Sequence, residues 1–294
     1  EGRDPGGEGA VSAGLLAYLP GALLPWFAEN RRELPWRRDR EPYHIWVSEI
    51  MLQQTRVEAV KGYYLRFLEA LPTVEALAEA PEDQLRKLWQ GLGYYNRVMN
   101  MKKAAVVLCR DYGGVFPGNR AALLALPGIG AYTAGAIGSI AFDLPTPAVD
   151  GNVLRVIARL LDIRTPVETP REKKRIETEL EAIYPPGQCG AFTQSLMELG
   201  ATVCLPNGKP RCGACPCAAF CRGLAQGQPE LLPVRLPKRE RRRERRTVFV
   251  LKCGERYALV KRPERGLLAG LWEFPNVPGH LELPEALIWA EEQG

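Results

Sequence analysis

The chain has 294 residues, 46% hydrophobic and 25% charged, ordinary proportions for a soluble globular protein of one or two domains. The formal net charge of +5 is already contained in the stretch Lys238 to Arg246, with seven basic and two acidic residues, so the remainder is neutral and charge alone argues only weakly for a polyanionic partner. No apolar run approaches the ~18 residues of a membrane span, and the acidic, glycine-rich opening reads as a disordered tail over residues 1–13, neither a secretory signal nor a transit sequence.

Residues 14 to 204 read as helix upon helix. Apolar residues recur at three and four, as in Ile45, Met51, Leu52 and Val57, or Leu85, Leu88 and Trp89. Short breaks carry Pro or Gly, among them Pro72, Pro81, Gly113–Gly114, Pro127 and Pro145. From residue 223 to 246 the texture turns to Gly, Gln and Pro and then to the basic strip, which predicts a linker after a helical domain over 14–222. Beyond it, Thr247 to Leu251 and Tyr257 to Lys261 predict a hairpin opening a second, α+β domain over 247–294. Those residues are few for an independent core, so the second domain is expected to be incomplete.

Five of the eight cysteines fall close together: Cys204, Cys212, Cys215, Cys217 and Cys221. A large apolar core without an export signal argues against a disulfide scaffold and for a metal or iron–sulfur site. Zinc ribbons use two CxxC pairs far apart, whereas here one CxxC, Cys212 to Cys215, is flanked by Cys204 and Cys221. That compact wrap suits a cubane cluster on four thiolates. Spacing alone leaves Cys217 open as a fifth ligand or a small buried residue.

Leu126-Pro127-Gly128-Ile129-Gly130 lies between two helical patterns. Both Gly128 and Gly130 are expected to turn the backbone through positive φ and to leave amides uncovered at a helix start, the geometry that grips a DNA phosphate without reading sequence. Two carboxyls carry further chemistry. Glu49 neighbours Ile45, Trp46 and Leu52 at helical spacing, so burial should raise its pKa. Asp150 precedes the helical stretch Gly151 to Leu161 as an N-cap, where amides should hold it ionised. One neutral and one ionised acid suit a general acid with an electrostatic or nucleophilic partner.

Taken in order, LPGIG, Val149-Asp150-Gly151-Asn152-Val153 and the cysteine cluster resemble the endonuclease III superfamily of base-excision glycosylases. Within it the chain is similar to the adenine DNA glycosylases of the MutY type over roughly residues 14 to 275. The telling stretches are Leu34-Pro35-Trp36-Arg37, Trp46 to Thr55, Gly91-Leu92-Gly93-Tyr94-Tyr95, Met197-Glu198-Leu199-Gly200-Ala201 and Gly266 to Pro275. The resemblance implies a mainly α, two-lobed helix-hairpin-helix body with an iron–sulfur loop, followed by the opening part of a Nudix-like α+β domain. It implies a [4Fe–4S] cluster on Cys204, Cys212, Cys215 and Cys221. One residue more than the family's usual spacing separates Cys204 from Cys212, an insertion a loop absorbs at little entropic cost.

The resemblance also implies roles. Glu49 would protonate an extruded adenine and Asp150 would stabilise the oxocarbenium-like sugar, with Tyr132 and Asn152 holding them. Where endonuclease III proteins carry a Schiff-base lysine this chain has Tyr132, which implies a monofunctional hydrolase. Gln54 and Tyr94 match residues that wedge into the base stack, and Gly128 and Gly130 would hold phosphate. Arg32, Leu34, Trp36, Arg37, Leu52 and Gln194 match the adenine pocket. The implied partner is double-stranded DNA bearing adenine opposite 8-oxoguanine or guanine, met by a monomer inside the cell with the DNA: bacterial cytoplasm and nucleoid, or nucleus and mitochondria. No membrane is involved. Neither the family's 8-oxoguanine recognition loop nor an Arg-Glu-x-x-Glu-Glu pyrophosphohydrolase core is visible in residues 279–294. Two other readings compete: a bifunctional endonuclease III-like glycosylase and abasic-site lyase on oxidised pyrimidines, and a non-catalytic DNA-binding module.

Overall fold

The computed structural model describes residues 14–237, 243–263 and 265–292, and the chain divides after Leu236 into two compact units. The expected tail (1–13) and part of the basic strip (238–242) lie outside the described residues.

The first unit is helical: α1 (Leu19–Asn30), α2 (Pro42–Leu52), α3 (Val57–Ala70), α4 (Val74–Glu79), α5 (Glu82–Leu88), α6 (Asn96–Tyr112), α7 (Arg120–Ala125), α8 (Ala131–Phe142), α9 (Gly151–Leu161), α10 (Pro170–Glu181), α11 (Cys189–Thr202) and α12 (Arg222–Ala225). Local chemistry starts several of them. The side chains of Thr73, Asn119, Asp150 and Thr169 each accept a hydrogen bond from a backbone amide of the first turn they precede.

Two hydrophobic clusters make the two expected lobes. One gathers Trp46, Phe67, Trp89, Leu108 and Ile137 from α2, α3, α6 and α8 and the turn after α5. The other joins Leu16, Leu19 and Leu23 to Val153, Ile157 and Leu160 of α9, Leu180 of α10 and Phe192 of α11. The described residues thus run first through the second lobe at Leu16 to Leu23, then build the first, and return through α9. Helix α8 packs on α2 of one lobe and on α11 of the other. Its residues Thr133 to Ile140, mostly small, are all buried.

The stretch expected as a linker differs from the structure over residues 223–236, which fold onto the helical unit. Leu232 is 2% exposed, and its carbonyl accepts a 2.9 Å hydrogen bond from Nε of the buried Arg159. One leucine and a backbone carbonyl make that anchor, and neither marks itself in a Gly- and Gln-rich sequence.

Among its described residues the second unit holds three two-stranded antiparallel ladders and a helix. β1 (Arg246–Val248) pairs with β6 (Asn276–Pro278), β2 (Lys252–Cys253) with β3 (Arg256–Tyr257), and β4 (Val260–Lys261) with β5 (Trp272–Glu273). The hairpin predicted around Cys253–Arg256 is present and extends to a 3.0 Å bond from Ala258 N to Leu251 O, but farther out β1 and β4 pair with later strands instead of with each other. Phe249 stacks on Trp289 of α13 (Leu283–Glu292) at 3.9 Å between ring centres. Among the described residues no helix is long and apolar enough to cross a membrane.

Candidate active site

Glu49 lies on α2, whose residues Ile45 to Met51 are all buried, and is itself 6% exposed. Burial disfavours its charged form and pushes its pKa up to about 7. The hydroxyl of Tyr132, in the first turn of α8, donates to its carboxylate and opposes that rise, while the charge of Asp150 adds to it.

Asp150 caps α9 as expected. Its Oδ1 accepts from Val153 N at 2.8 Å and its Oδ2 from Nδ2 of Asn152 at 2.7 Å. Its pKa, expected to fall, lies instead above the usual carboxylate range, because burial outweighs the capping bonds. Asn152 is held in turn by Arg155, whose Nη2 donates to Asn152 Oδ1 at 2.9 Å and to Gly200 O at 2.8 Å, and whose Nε donates to Cys204 O at 2.8 Å. Gly200 of α11 presses against this turn, and a Cβ there would stand 2.6 Å from Cβ of Asn152.

Glu49, Tyr132, Asp150 and Asn152 line a single cavity of about 570 Å³ together with Arg32, Leu34, Trp36, Arg37, Leu52, Gln54 and Gln194. α2 and α8 come to it from one lobe, α9 and α11 from the other. Every residue assigned to the catalytic group or the adenine pocket therefore faces the same space. The sequence reading missed Glu198, which also lines it. Its side chain is fully buried and accepts from Nε and Nη2 of Arg32 at 2.7 and 2.9 Å and from Nη2 of Arg37 at 2.8 Å. Burial alone would raise Glu198, but these bonds hold its carboxyl down at about 2. A lone acid inside the apolar run Leu196 to Leu199 was the available signal.

Gly128 and Gly130 lie outside the cavity, in the turn between α7 and α8. Gly128 has φ of +74°, as expected. Gly130 departs from expectation with φ of −90°, an extended N-cap of α8. A Cβ on Gly130 would meet nothing within 4 Å, so the protein itself does not require the glycine; it leaves the amides of the first turn uncovered.

Gln54 follows α2 at the cavity and Tyr94 precedes α6, 67% exposed. Both adopt positive φ, +61° and +46°. Such a conformation costs a non-glycine residue about 1–3 kcal/mol and persists only where neighbours impose it.

Cys204, Cys212, Cys215 and Cys221 line a second, small cavity with Arg159, whose Nη1 donates to Cys204 Sγ at 3.2 Å. Cys217 does not line it; it is 2% exposed and packs into the second lobe's core. Among the described residues no three His, Cys, Asp or Glu side chains converge closely enough to hold a single metal ion.

This arrangement has clear relatives. Residues 47–186 match the HhH-GPD superfamily of base excision DNA repair proteins. In fold, a thermostable thymine-DNA glycosylase superposes with a TM-score of 0.65 at 31% identity, over 74% of this chain and 98% of its own. A trapped covalent intermediate of endonuclease III with DNA superposes with a TM-score of 0.62 at 25% identity, over 73% and 98%. In sequence, the adenine DNA glycosylase of Arabidopsis thaliana is 39% identical over 87% of this chain and 46% of its own length, and that of Homo sapiens 36% identical over 87% and 57%. That of Buchnera aphidicola from Acyrthosiphon pisum is 34% identical over 92% of this chain and 77% of its own. The chain therefore belongs to the adenine DNA glycosylase family, of the MutY type, within the HhH-GPD superfamily. It spans about half the length of the plant and human relatives.

Proposed function

We propose that this protein removes adenine mispaired with 8-oxoguanine or guanine from double-stranded DNA, hydrolytically and as a monomer, inside the cell where DNA resides. The observation that carries the reading is the shared cavity: Glu49 and Asp150, 101 residues apart in the chain, face one space large enough for a nucleobase.

The base must first leave the duplex, which costs a few kcal/mol. Gln54 and Tyr94 fill the stack it vacates, and the amides behind Gly128 and Gly130 hold backbone phosphate. Glu49, with a pKa of about 7, carries a proton in a substantial fraction of molecules near neutrality. It gives that proton to the base. The glycosidic bond breaks, its electron pair leaves with the base, and the sugar becomes oxocarbenium-like. The Asp150 carboxylate stabilises that cation until water adds. A positioned proton donor is worth roughly 10²–10⁴ in rate. Tyr132 has no amine, so no Schiff base forms and the strand is left intact at an abasic site.

Cys204, Cys212, Cys215 and Cys221 fit a [4Fe–4S] cluster. The donor set is all thiol, the four surround one cavity, and Arg159 offsets thiolate charge at Cys204. Bound, the cluster supplies a cross-link between the end of α11 and the segment leading into α12. We assign the second unit to a Nudix-like domain.

Single-turnover excision from a duplex carrying adenine opposite 8-oxoguanine tests the reading. Asp150→Asn is expected to lose roughly 10² or more in rate, within the range of electrostatic transition-state groups. Wild-type excision by that variant would overturn the assignment, and a borohydride-trapped protein–DNA adduct would mark a lyase instead.

A further inference from the structure

The residue that ties the two DNA-probing segments together is Arg97, on the first turn of α6. Its four Nη hydrogens are all committed to backbone carbonyls. Nη1 donates to Ile50 O and to Gln53 O, each at 2.7 Å. Nη2 donates to Leu92 O at 2.9 Å and to Gly93 O at 3.2 Å. The first pair closes the C-terminus of α2, immediately before Gln54. The second pair belongs to the loop immediately before Tyr94. The guanidinium also lies over the rings of Trp89 and Tyr94, at 5.3 and 5.9 Å. Trp89 Nε1 reinforces the loop with a 3.0 Å bond to Gly93 O.

The carbonyls of a helix's last turn have no partner within the helix, so something must satisfy those at the end of α2. A capping glycine would do so locally. Here one planar fork satisfies Ile50 O and Gln53 O while reaching a loop about 40 residues further along the chain, as the sequence separation of Gln53 and Gly93 shows. Each segment then delivers a residue in positive φ, Gln54 and Tyr94, which needs imposed geometry to persist. Arg97 does not line the cavity and touches none of the reacting groups.

We propose that Arg97 is a positioning residue for base extrusion: its guanidinium fork fixes the spacing between the Gln54 and Tyr94 loops so that both enter the stack together. This rests on the wedge assignment of Gln54 and Tyr94 above. A lysine retains the charge but has three hydrogens on one point and no fork, so it cannot hold both loops.

The test uses the full chain and a duplex with 2-aminopurine beside the mispaired adenine, whose fluorescence rises when its neighbour is extruded. Affinity for a duplex carrying a stable abasic-site analogue, where no base has to be moved, is measured in parallel. Arg97→Lys and Arg97→Ala are expected to lose most of the fluorescence rise and about 10²-fold in single-turnover excision, the scale of loss from misplacing a remote positioning group. Affinity for the abasic analogue stays within about threefold, well under one such step. An intact fluorescence rise in Arg97→Lys overturns the proposal. So does an equal loss of extrusion and abasic binding, which would mark a merely structural arginine. Tyr94→Ala separates the layers: if it loses the rise while Arg97→Lys keeps it, the wedge assignment stands and the Arg97 proposal falls, whereas a rise unaffected by Tyr94→Ala removes the wedge assignment itself.

Discussion

Tyr132 donates its hydroxyl to the carboxylate of Glu49 across the seam between α8 and α2. The bond favours the ionised carboxylate, against a burial that favours the neutral acid, and the result is a carboxyl near pH 7 instead of far above it. A proton donor is most effective when its pKa lies close to working pH, so this balance sets the range over which the proposed chemistry runs.

The first expectation is a pH–rate profile with an alkaline limb near 7. Glu49 must carry its proton, so single-turnover excision should fall as pH rises through about 7. Asp150 must be ionised, and its raised pKa places the acid limb above the usual aspartate range. Rates flat from pH 6 to 9 would contradict the proton-donor role.

Removing the Tyr132 hydroxyl should move that limb. Tyr132→Phe deletes the one hydrogen bond that lowers the Glu49 pKa, so the acid holds its proton to higher pH. The alkaline limb should shift upward while the plateau rate drops, since the acid is also less well aimed. A limb that stays in place would mean the bond does not tune Glu49.

Glu49 should also cost the fold stability. Its pKa rises from 4.5 to about 7 on folding. Between those values the folded state binds more protons than the unfolded one, so stability declines as pH rises across the window, by about 3 kcal/mol in total. Glu49→Gln has no proton to lose. It should melt above the wild type at pH 8 by several degrees, with the gap closing toward pH 5, while excision is abolished. Calorimetry at the two pH values checks this; a variant that melts lower at pH 8 would contradict it.

How far the site was legible follows from how local each signal was. The cap role of Asp150 needs only the amides that follow it, and the turn of Gly128 only its own φ. The pKa direction of Asp150 did not follow, because the burial that reverses it arises only when the chain folds around the cap. For Glu198 the local signal was only an acid in an apolar run; its pairing was out of reach of the sequence, because its arginines lie 166 and 161 residues away. The helical character was readable from periodicity and the two lobes from the family resemblance alone, but the anchoring of Leu232 on Arg159 was legible from neither, since a backbone carbonyl carries no residue identity.

The cysteine set predicts a separable cofactor. Purified protein should be yellow-brown and carry about four iron atoms, as a cluster on four thiolates requires. Cys212→Ser should lose the colour and lower the melting temperature, with the second lobe opening first, because the loop it closes lies against α9 and the Cys204 end of α11. Stoichiometric zinc without iron in the wild type would contradict the assignment.

Gly200→Ala probes whether packing behind the site reaches the chemistry. The added methyl would stand 2.6 Å from Cβ of Asn152 and 3.2 Å from its Cα, so the turn that carries Asp150 must give way. Overpacking of this kind costs about 1–3 kcal/mol, partly offset by the better helix propensity of alanine. The more telling effect is on titration. The Asn152 bond lowers the pKa of Asp150, so displacing Asn152 should raise it further. The acid limb of the pH–rate profile then moves to higher pH, the window below the Glu49 limb narrows, and the maximal rate falls. Asn152→Ala should shift the same limb in the same direction without the steric strain. If Gly200→Ala lowers the melting temperature but leaves the acid limb where the wild type has it, the contact serves packing alone and Asn152 keeps its place by other means.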